Sequence, residues 1–521
     1  MNYNNSNQTN IGDQSYLRKE IVSVGRHSLV YLVGQALSRA VGFFMIPIYT
    51  RFIAPTGYGG MELIEIVASA VTIMISMGVA DGMLRFYYGE KEENKRNQVV
   101  STVIIGFSII GIVAVLIFIS LSGFISKIIL EDVNYRYYLQ IMFVTAWFGM
   151  LCEVGYSYLR MLYMAKLFVM VTMANLIIAL SLNIYFIVFL RLEILGIFYS
   201  GLITEGLTGM FLSLMILKKV RVNVSISLLW RLIKFGVPLV PTRIGLMVGF
   251  VSNRFFLRWF SSPDPAIALA QVGLFSLGHK FGVIINRFVT VPFNSFWGPR
   301  RLELILGKSK DSKETVARVC TYATLLTVYL ALLLSSGIKS LIEIMADPRY
   351  HGAHQVVPFI ALAYVALGLE THFITGILYK KKTIWSTYIS LLSLGVILAW
   401  NYLFVPRYGL IGAATSNLAG FAVRGTLIYV VSQRLYPIPF ELGRMAIMFI
   451  TAIFLYFVSQ TVSFSSPYLT FLGRVGLVAL FPLVLFAVRF YTEGEVEFIG
   501  QMFRKGRKTA EVLWFQFRRY Q

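Results

Sequence analysis

Residues 27–50 read HSLVYLVGQALSRAVGFFMIPIYT, and this stretch sets the class of fold to expect. It is long enough for a helix to cross the roughly 30 Å hydrocarbon core of a bilayer. The one formally charged residue of this stretch is Arg39, which lies near its middle. A charge at the bilayer centre costs at least ~2.5–3.5 kcal/mol, so such residues usually face a wet interior lined by protein. The stretch therefore predicts a membrane span that carries a functional base.

The pattern of a base inside an apolar segment recurs along the chain. It is repeated at Arg243, Arg254, Lys280, Arg287 and Arg424. If all six basic groups are directed into one interior, they form a cationic chamber within the membrane. Such a chamber suits an anionic cargo, because a guanidinium can donate two parallel charged hydrogen bonds to phosphate. We therefore predict these six residues as the substrate-binding set.

The composition predicts an all-α membrane protein with many spans. The chain has 521 residues, of which 57% are hydrophobic and only 14% are charged. Soluble domains carry more charge and less apolar content. The apolar runs predict fourteen helices, at residues 27–50, 58–82, 97–122, 137–159, 167–190, 194–217, 229–257, 270–298, 315–336, 354–378, 383–405, 409–432, 442–462 and 468–490.

The distribution of basic residues predicts the orientation of these spans. The formal net charge is +22. With an even number of spans and a cytoplasmic N-terminus, most lysines and arginines fall in cytoplasmic segments and few in the opposite loops, which is the usual bias. Both termini are therefore predicted to be cytoplasmic. The excess charge is a topology signal, and no nucleic-acid partner is expected.

Short sequence echoes indicate an internal duplication. Tyr58-Gly59, after the first span, matches Val272-Gly273 after the seventh, and the sixth and twelfth spans share a similar series of polar residues and glycine. Six spans followed by six in the same orientation form a parallel repeat of the kind seen in many transporters. The predicted architecture has two pseudo-symmetric lobes around a central cavity. Its parts are a polar N-terminal segment (1–26), an N-lobe (27–217), a C-lobe (218–432), two accessory spans (433–490) and a basic amphipathic tail (491–521).

Three motifs resemble one transporter family. They are IPIYTRFIAP at residues 46–55, RFFL at 254–257 followed by VGLFSL at 272–277, and GLIGAA at 409–414. They are similar to the polysaccharide-transporter branch of the multidrug/oligosaccharidyl-lipid/polysaccharide exporter superfamily, which contains the flippases for O-antigen and capsule repeat units. One departure is Asn253, where that family often has Asp, so an ion role for that acid is not expected here.

The resemblance implies alternating access around a central cavity in a bacterial inner membrane. It implies a cargo of undecaprenyl-diphosphate-linked oligosaccharide, which moves to the outer leaflet for polysaccharide biosynthesis. The pathway would serve lipopolysaccharide O-antigen, capsule or another exopolysaccharide. The implied partners are the lipid-linked substrate, membrane lipids, and a polymerase and glycosyltransferases of the same pathway.

Carboxylates inside spans are candidates for ion coupling. Glu153, Glu205 and Glu370 lie within apolar segments, where an acid can carry a coupling proton or bind Na⁺. The alternative interpretation is that each acid is the fixed counter-ion of a buried base and joins two helices. The sequence leaves both interpretations open.

No enzyme, cofactor or metal centre is predicted. The chain has no nucleotide-binding loop and no nucleophile elbow. His351, His354 and Asp347 have a metal-like spacing, but they lie in an external loop without a fourth ligand, so surface residues are the simpler interpretation. Two alternatives remain. One is an exporter of a drug or of the peptidoglycan precursor lipid, and the other is a membrane-embedded glycosyl- or acyltransferase, which the short external loops disfavour.

Overall fold

The computed structural model describes residue 43 and residues 45–220, 222–307 and 311–497. Within these residues the regular structure is helical, and no strand occurs in them. This agrees with the apolar composition, because a helix satisfies all its backbone hydrogen bonds internally and can therefore cross a membrane. The predicted N-terminal segment 1–26 and Arg39 lie outside the described residues, as does most of the first predicted span and of the tail 491–521.

The first ten helices cover residues 46 to 282. They are α1 (Ile46–Phe52), α2 (Pro55–Ser76), α3 (Val79–Gly89), α4 (Glu93–Ile129), α5 (Arg136–Met161), α6 (Ala165–Ile184), α7 (Glu193–Lys219), α8 (Ile226–Gly236), α9 (Leu239–Phe260) and α10 (Pro265–Gly282).

Eight more helices follow. They are α11 (Val291–Leu306), α12 (Ser312–Met345), α13 (Val357–Phe373), α14 (Thr375–Tyr379), α15 (Ile384–Leu435), α16 (Leu442–Thr461), α17 (Pro467–Ala479) and α18 (Phe481–Ala487).

The predicted spans are present throughout the described chain. Twelve helical segments in it are long and apolar enough to cross a membrane. One of them, Ile384–Leu435, contains two predicted spans, 383–405 and 409–432, because the backbone breaks at Gly409 with φ 50° and ψ −120°. Glycine adopts this left-handed conformation without a steric penalty. The twelve segments therefore account for every predicted span except the first.

Two spans are broken within their length. The second is interrupted between α2 and α3, where Met77 and Gly78 both have positive φ. The seventh is interrupted between α8 and α9, just before Pro238. The two breaks meet, because a Cβ placed on Gly236 would lie only 1.9 Å from the carbonyl oxygen of Met77. Broken spans of this kind are common where transporters bind their cargo and ions.

Two spans contain a short stretch of wider helix. Residues Tyr185–Phe189 and Asn286–Thr290 have π-helical geometry. The second stretch lies between α10 and α11, within the segment Pro265–Leu306, and it contains Arg287. Such π-bulges are frequent at functional sites because they change the direction of one side chain relative to the rest of the helix.

The chain divides into two compact units. The first unit comprises Met1–Phe281, Met345–Ile360 and Ser390–Phe421, and the second comprises Gly282–Ile344, Ala361–Ile389 and Ala422–Gln521. In the first unit α5 packs closely on α7, where a Cβ on Gly155 would lie 2.7 Å from Leu212. In the second unit α16, α17 and α18 join one apolar core with residues of α12 and α13. The predicted lobe boundaries remain a prediction.

Candidate substrate site among the membrane spans

The predicted basic residues are distributed over both units. Arg39 lies outside the described residues. Arg243, Arg254 and Lys280 belong to the first unit, and Arg287 and Arg424 belong to the second. Each unit is described in turn below.

Arg243 in α9 forms an ion pair with Asp81 in α3. Asp81 lies in the first turn of α3, directly after the break at Gly78, so the break determines where this carboxylate is presented. Glu153 of α5 lies within electrostatic range of both charges. The side chain of Arg243 is 33% exposed and that of Asp81 is 55% exposed. Charged groups with this exposure are not compatible with lipid contact, so they indicate a hydrated space beside α9.

Lys280 in α10 is held by two groups of α2. Its Nζ lies 2.9 Å from Oε1 of Glu62 and donates a hydrogen bond of 2.5 Å to the hydroxyl of Tyr58. Glu65, one turn after Glu62, also interacts electrostatically with this lysine. Two acids therefore share one lysine in this part of the first unit, with Tyr58 as a neutral hydrogen-bonding partner.

Arg254 in α9 is buried rather than exposed at an outer surface. Its Nε donates to the hydroxyl of Ser276, and its Nη1 donates to the amide oxygen of Asn253 at 3.1 Å. The guanidinium also lies over the ring of Phe275, 5.1 Å from its centroid. Asn253 thus acts as a neutral acceptor for its neighbour, at the position where the resembling family often has an acid.

Arg424 in α15 pairs with Glu370 in α13, both within the second unit. The distance between Nη2 and Oε1 is 2.9 Å, and the two side chains are 19% and 6% exposed. This contact has the form of the alternative interpretation given by the sequence, in which a buried acid is the fixed counter-ion of a base. The other carboxylate oxygen, Oε2, has no hydrogen-bond partner within the described part of the chain.

Arg287 differs from the other described bases of the set. It lies in the π-helical stretch in the middle of its span and its side chain is exposed. No carboxylate of the described residues forms an ion pair with it, whereas Arg243, Lys280 and Arg424 each have one. An exposed guanidinium in mid-span requires water or an anion beside it. Arg287 is therefore the base whose hydrogen-bonding capacity is most available to a ligand.

The third predicted acid, Glu205 in α7, is partly buried. The thiol of Cys152 in α5 donates to its backbone oxygen at 3.5 Å, and no base of the described chain forms an ion pair with its carboxylate. Small residues surround Glu205 in the sequence, among them Gly206 and Gly209, and small residues let membrane helices approach closely. The structure shows this approach, because a Cβ on Gly209 would lie 2.9 Å from the carbonyl oxygen of Phe148.

Two groups near these sites were not predicted as functional residues. Tyr58 was used only as part of a repeated motif, although its spacing of four residues from Glu62 places both on one face of α2. Arg301 lies just beyond the predicted eighth span, 270–298, and it is buried in α11. No short sequence pattern distinguishes it from its exposed neighbour Arg300.

A metal centre finds no support in the described residues. No cluster of three or more His, Cys, Asp or Glu side chains that could hold an ion occurs among them. His351 and His354 belong to a short 3₁₀ helix, Pro348–Val356, where Nδ1 of His354 is hydrogen-bonded to the carbonyl oxygen of His351.

Comparison with known proteins yields one sequence family and several similar folds. A family profile described as "Polysaccharide biosynthesis protein" matches residues 24–301, which is more than half of the chain. A search of curated proteins finds no match. Among solved structures, the lipid II flippase MurJ in an inward closed conformation aligns with a TM-score of 0.70 at 13% identity, covering 89% of this chain and 100% of MurJ.

The multidrug transporters of the MATE family are also similar in fold. An inward-facing structure from the MOP superfamily aligns with a TM-score of 0.57 at 14% identity, covering 78% of this chain and 94% of that chain. An outward-facing structure aligns with a TM-score of 0.53 at 14% identity, covering 80% and 96%. At these identities the similarity establishes the shared fold.

Proposed function

Because the chain belongs to the polysaccharide biosynthesis protein family, we propose that it is a flippase for undecaprenyl-diphosphate-linked oligosaccharides. In this proposal alternating access carries the repeat unit from the cytoplasmic to the outer leaflet of the bacterial inner membrane. The fold shared with MurJ and the MATE transporters supports a transport role rather than an enzymatic one.

The observation that carries the proposal is the exposed guanidinium of Arg287 in the middle of a span, which forms no ion pair with a carboxylate of the described residues. The diphosphate is the part of a lipid-linked sugar that is most costly to move through hydrocarbon, because burying an ionised group without a partner is strongly unfavourable. Arg287 can offer charged hydrogen bonds to its oxygens at mid-depth. No other described base of the predicted set combines this depth with a free hydrogen-bonding face.

The remaining bases of the proposed site differ from Arg287, because three of them are already paired with carboxylates. Arg243, Lys280 and Arg424 are neutralised by carboxylates while no cargo is bound. An arriving phosphate can take the place of the carboxylate, most readily at Arg243, whose partner Asp81 is 55% exposed. Arg254 and Arg39 are the other members of the proposed substrate-binding set, and Arg39 lies outside the described residues.

We also propose that the transport cycle is coupled to an ion through Glu153, Glu205 or Glu370. Glu153 lies near the Asp81–Arg243 pair, and Glu370 is paired with Arg424. Neither Glu153 nor Glu205 has an ion pair with a described base, but Glu153 has charged neighbours among the described residues and Glu205 has none, so Glu205 can change its protonation or ion occupancy without disturbing a neighbouring charge. This favours Glu205 within the group.

A translocation assay tests the proposal directly. Purified protein is reconstituted into vesicles that contain a fluorescent undecaprenyl-diphosphate oligosaccharide, and accessibility of the sugar to an external glycosidase is followed over time. Arg287→Ala is expected to lose most of the protein-dependent rate, whereas Arg136→Ala, an exposed arginine outside the mid-span region, keeps it. Equal rates for the two variants would remove Arg287 from the proposed site.

The same vesicles distinguish the alternative cargo. MurJ is described as a lipid II flippase, and lipid II is also a diphosphate, so the charge of Arg287 fits both lipids. Competition between the lipid-linked oligosaccharide and the peptidoglycan precursor lipid at equal concentration ranks them. Preferred transport of the oligosaccharide supports a role in O-antigen, capsule or other surface polysaccharide export, together with the polymerase and glycosyltransferases of that pathway. Preferred transport of the precursor lipid supports the alternative.

A further inference from the structure

Arg301 of α11 is a buried base without a counter-charge. It is 5% exposed, and its observed hydrogen bond is from Nη1 to the carbonyl oxygen of Thr371 in α13. Its Nε has no acceptor, and no carboxylate of the described residues lies within ion-pair distance of it. An uncompensated buried charge costs several kcal/mol. Arginine remains protonated in proteins, so the group cannot avoid this cost by losing its proton.

Two acids of the second unit, Glu370 and Glu441, are already engaged in ion pairs. Glu370, two residues before His372, is paired with Arg424. Glu441, which accepts a hydrogen bond from Thr321 of α12, is paired with Arg444 at 2.8 Å. No acid of the described residues therefore forms an ion pair with Arg301, so its charge is open to an anion from outside this part of the chain.

The second unit contains a small pocket whose lining residue His372 lies within electrostatic range of Arg301, although Arg301 itself does not line it. Its polar lining is provided by Thr290, Asn294, Thr324, Thr327 and His372, and no acid lines it. The pocket is connected to Arg301 through Thr371, whose hydroxyl donates to Oδ1 of Asn294 at 3.1 Å. The guanidinium thus imposes a positive potential on a space lined by neutral polar groups.

Two buried polar atoms of the pocket lining have no hydrogen-bond partner among the described residues. They are the hydroxyl oxygen of Thr290 and Nδ1 of His372, in side chains that are 6% and 4% exposed. Buried polar groups are nearly always hydrogen-bonded, so an unsatisfied pair that lines a cavity indicates a missing ligand. The pocket admits a ligand of about the size of a water molecule, which is too small for a sugar ring or a diphosphate.

We propose that this pocket binds a small inorganic anion, with the donors of Thr290, Asn294 and His372 as its ligands and Arg301 as its counter-charge. A water molecule would satisfy the donors but would leave Arg301 uncompensated. A cation is disfavoured by the field of the guanidinium in a region of low dielectric constant. The site is separate from the proposed diphosphate site at Arg287, because its size excludes that cargo.

Thermal unfolding of the purified full-length protein tests the site, with chloride as the probe. The unfolding midpoint is measured in sodium chloride and in sodium gluconate at equal ionic strength, so that general screening is the same in both salts. A ligand that binds only the folded state raises the midpoint, and the rise continues with the logarithm of the ligand concentration above the dissociation constant. We expect a chloride-dependent rise for the wild type and saturable binding of radioactive chloride.

Variants assign the effect to the pocket. Arg301→Gln and Thr290→Val are expected to lose the chloride-dependent rise and at least tenfold in chloride affinity, in line with the loss of one charged hydrogen-bonding group. Arg300→Gln is the matched control, because it removes the same charge from an adjacent exposed residue that is paired with Glu303. This control should behave like the wild type.

Two outcomes would overturn the proposal: no saturable chloride binding in the wild type, or chloride binding as tight as that of the wild type in both Thr290→Val and Arg301→Gln. Either result would mean that the pocket holds water only. If Arg301→Gln fails to fold, Thr290→Val decides the question, because it replaces a hydroxyl by a methyl group of similar size. The assay contains no lipid-linked cargo, so its failure is independent of the outcome of the translocation assay.

Discussion

Lys280 shows how a single charge is accommodated among the spans. Its ammonium contacts a carboxylate of Glu62 and the hydroxyl of Tyr58, so its charge is balanced and its donors have acceptors. Glu62 is the more buried partner, with a side chain 10% exposed against 35% for Lys280. Removal of Lys280 alone leaves Glu62 and Glu65 in a poorly hydrated place without their base, whereas removal of Lys280 and Glu62 together leaves only Glu65.

We therefore predict unequal effects for single and double substitutions of this pair. Lys280→Met alone should lower the free energy of unfolding by about 1–3 kcal/mol, less than the ~3–5 kcal/mol of a fully buried pair because Lys280 is partly exposed. The double variant Glu62→Gln/Lys280→Met should lose less than the sum of the two single variants. Unfolding in mixed micelles with increasing denaturing detergent measures these differences.

Glu303→Gln provides the control for the Lys280 experiment. It breaks the pair with Arg300, in which both side chains are more than half exposed. Such a pair contributes about 0–1 kcal/mol, so little change is expected. Strictly additive losses in the double variant of Glu62 and Lys280 would show that the two charges do not stabilise each other.

Glu205 is the residue at which ion coupling is predicted to be lost. Its carboxylate is partly buried and has no ion pair with a described base, so neutralisation by Glu205→Gln should leave the packing of α7 intact. We expect this variant to move cargo down the concentration gradient of the cargo at the wild-type rate. An imposed proton or Na⁺ gradient should no longer accelerate its transport of cargo. Vesicles with defined internal and external buffers measure both rates.

Glu193→Gln is the matched variant on the same helix. Glu193 lies in the first turn of α7 and is exposed. It should retain gradient-driven transport. If Glu205→Gln still shows gradient-driven transport, the coupling residue is Glu153, Glu370 or a group outside these three acids.

At the scale of whole helices, α2 and α10 touch through their backbones at two glycines. A Cβ on Gly59 would lie 2.0 Å from the carbonyl oxygen of Leu269, and one on Gly273 would lie 2.2 Å from that of Pro55. These are the two glycines that the Tyr58-Gly59 and Val272-Gly273 echo matched in the sequence. Small residues let membrane helices approach closely, so the repeated motif has a packing role in both helices.

We predict that Gly59→Ala and Gly273→Ala destabilise the protein. The added methyl group meets backbone atoms that cannot move aside, so each variant should lose at least ~1–3 kcal/mol of unfolding free energy, as overpacked cores do. The control is Gly149→Ala in α5, where nothing lies within 4 Å of the new Cβ. In that place the helix propensity of alanine should leave stability unchanged or raise it by up to about 1 kcal/mol. Unfolding curves for the three variants check the order.

The elements themselves were largely predictable from the sequence, whereas the partners of the charges were not. Apolar length predicted the spans 383–405 and 409–432 as separate helices, and the break at Gly409 confirms this division. Composition alone does not show which acid lies beside which base. Arg243 and Asp81 are 162 positions apart in the chain, and their contact depends on the break after Met77, which no charge or hydropathy pattern predicts. Composition likewise does not show how the helix that carries Arg301 packs, so the burial of this residue was not predicted.

For the molecule as a whole, the chain belongs to the polysaccharide biosynthesis protein family and shares its fold with MurJ, while the predicted direction of the spans rests on the distribution of basic residues. The described helices agree with the predicted spans, so each predicted loop has a defined place between two of them. Alternating access from the cytoplasm outward requires that the basic segments, including Lys380–Lys382, lie in the cytoplasm. The orientation and the direction of transport are therefore linked.

We predict that labelling of single cysteines in intact cells reports this orientation. The two native cysteines are buried and are replaced by serine to give a silent background. Ser465→Cys, in the exposed loop between α16 and α17, should react with a membrane-impermeant maleimide in intact cells. Lys380→Cys, in the exposed turn after α14, should react only after the membrane is permeabilised. The reverse pattern would place the basic loops outside, and a flippase in that orientation would present its cytoplasmic cargo site to the wrong leaflet.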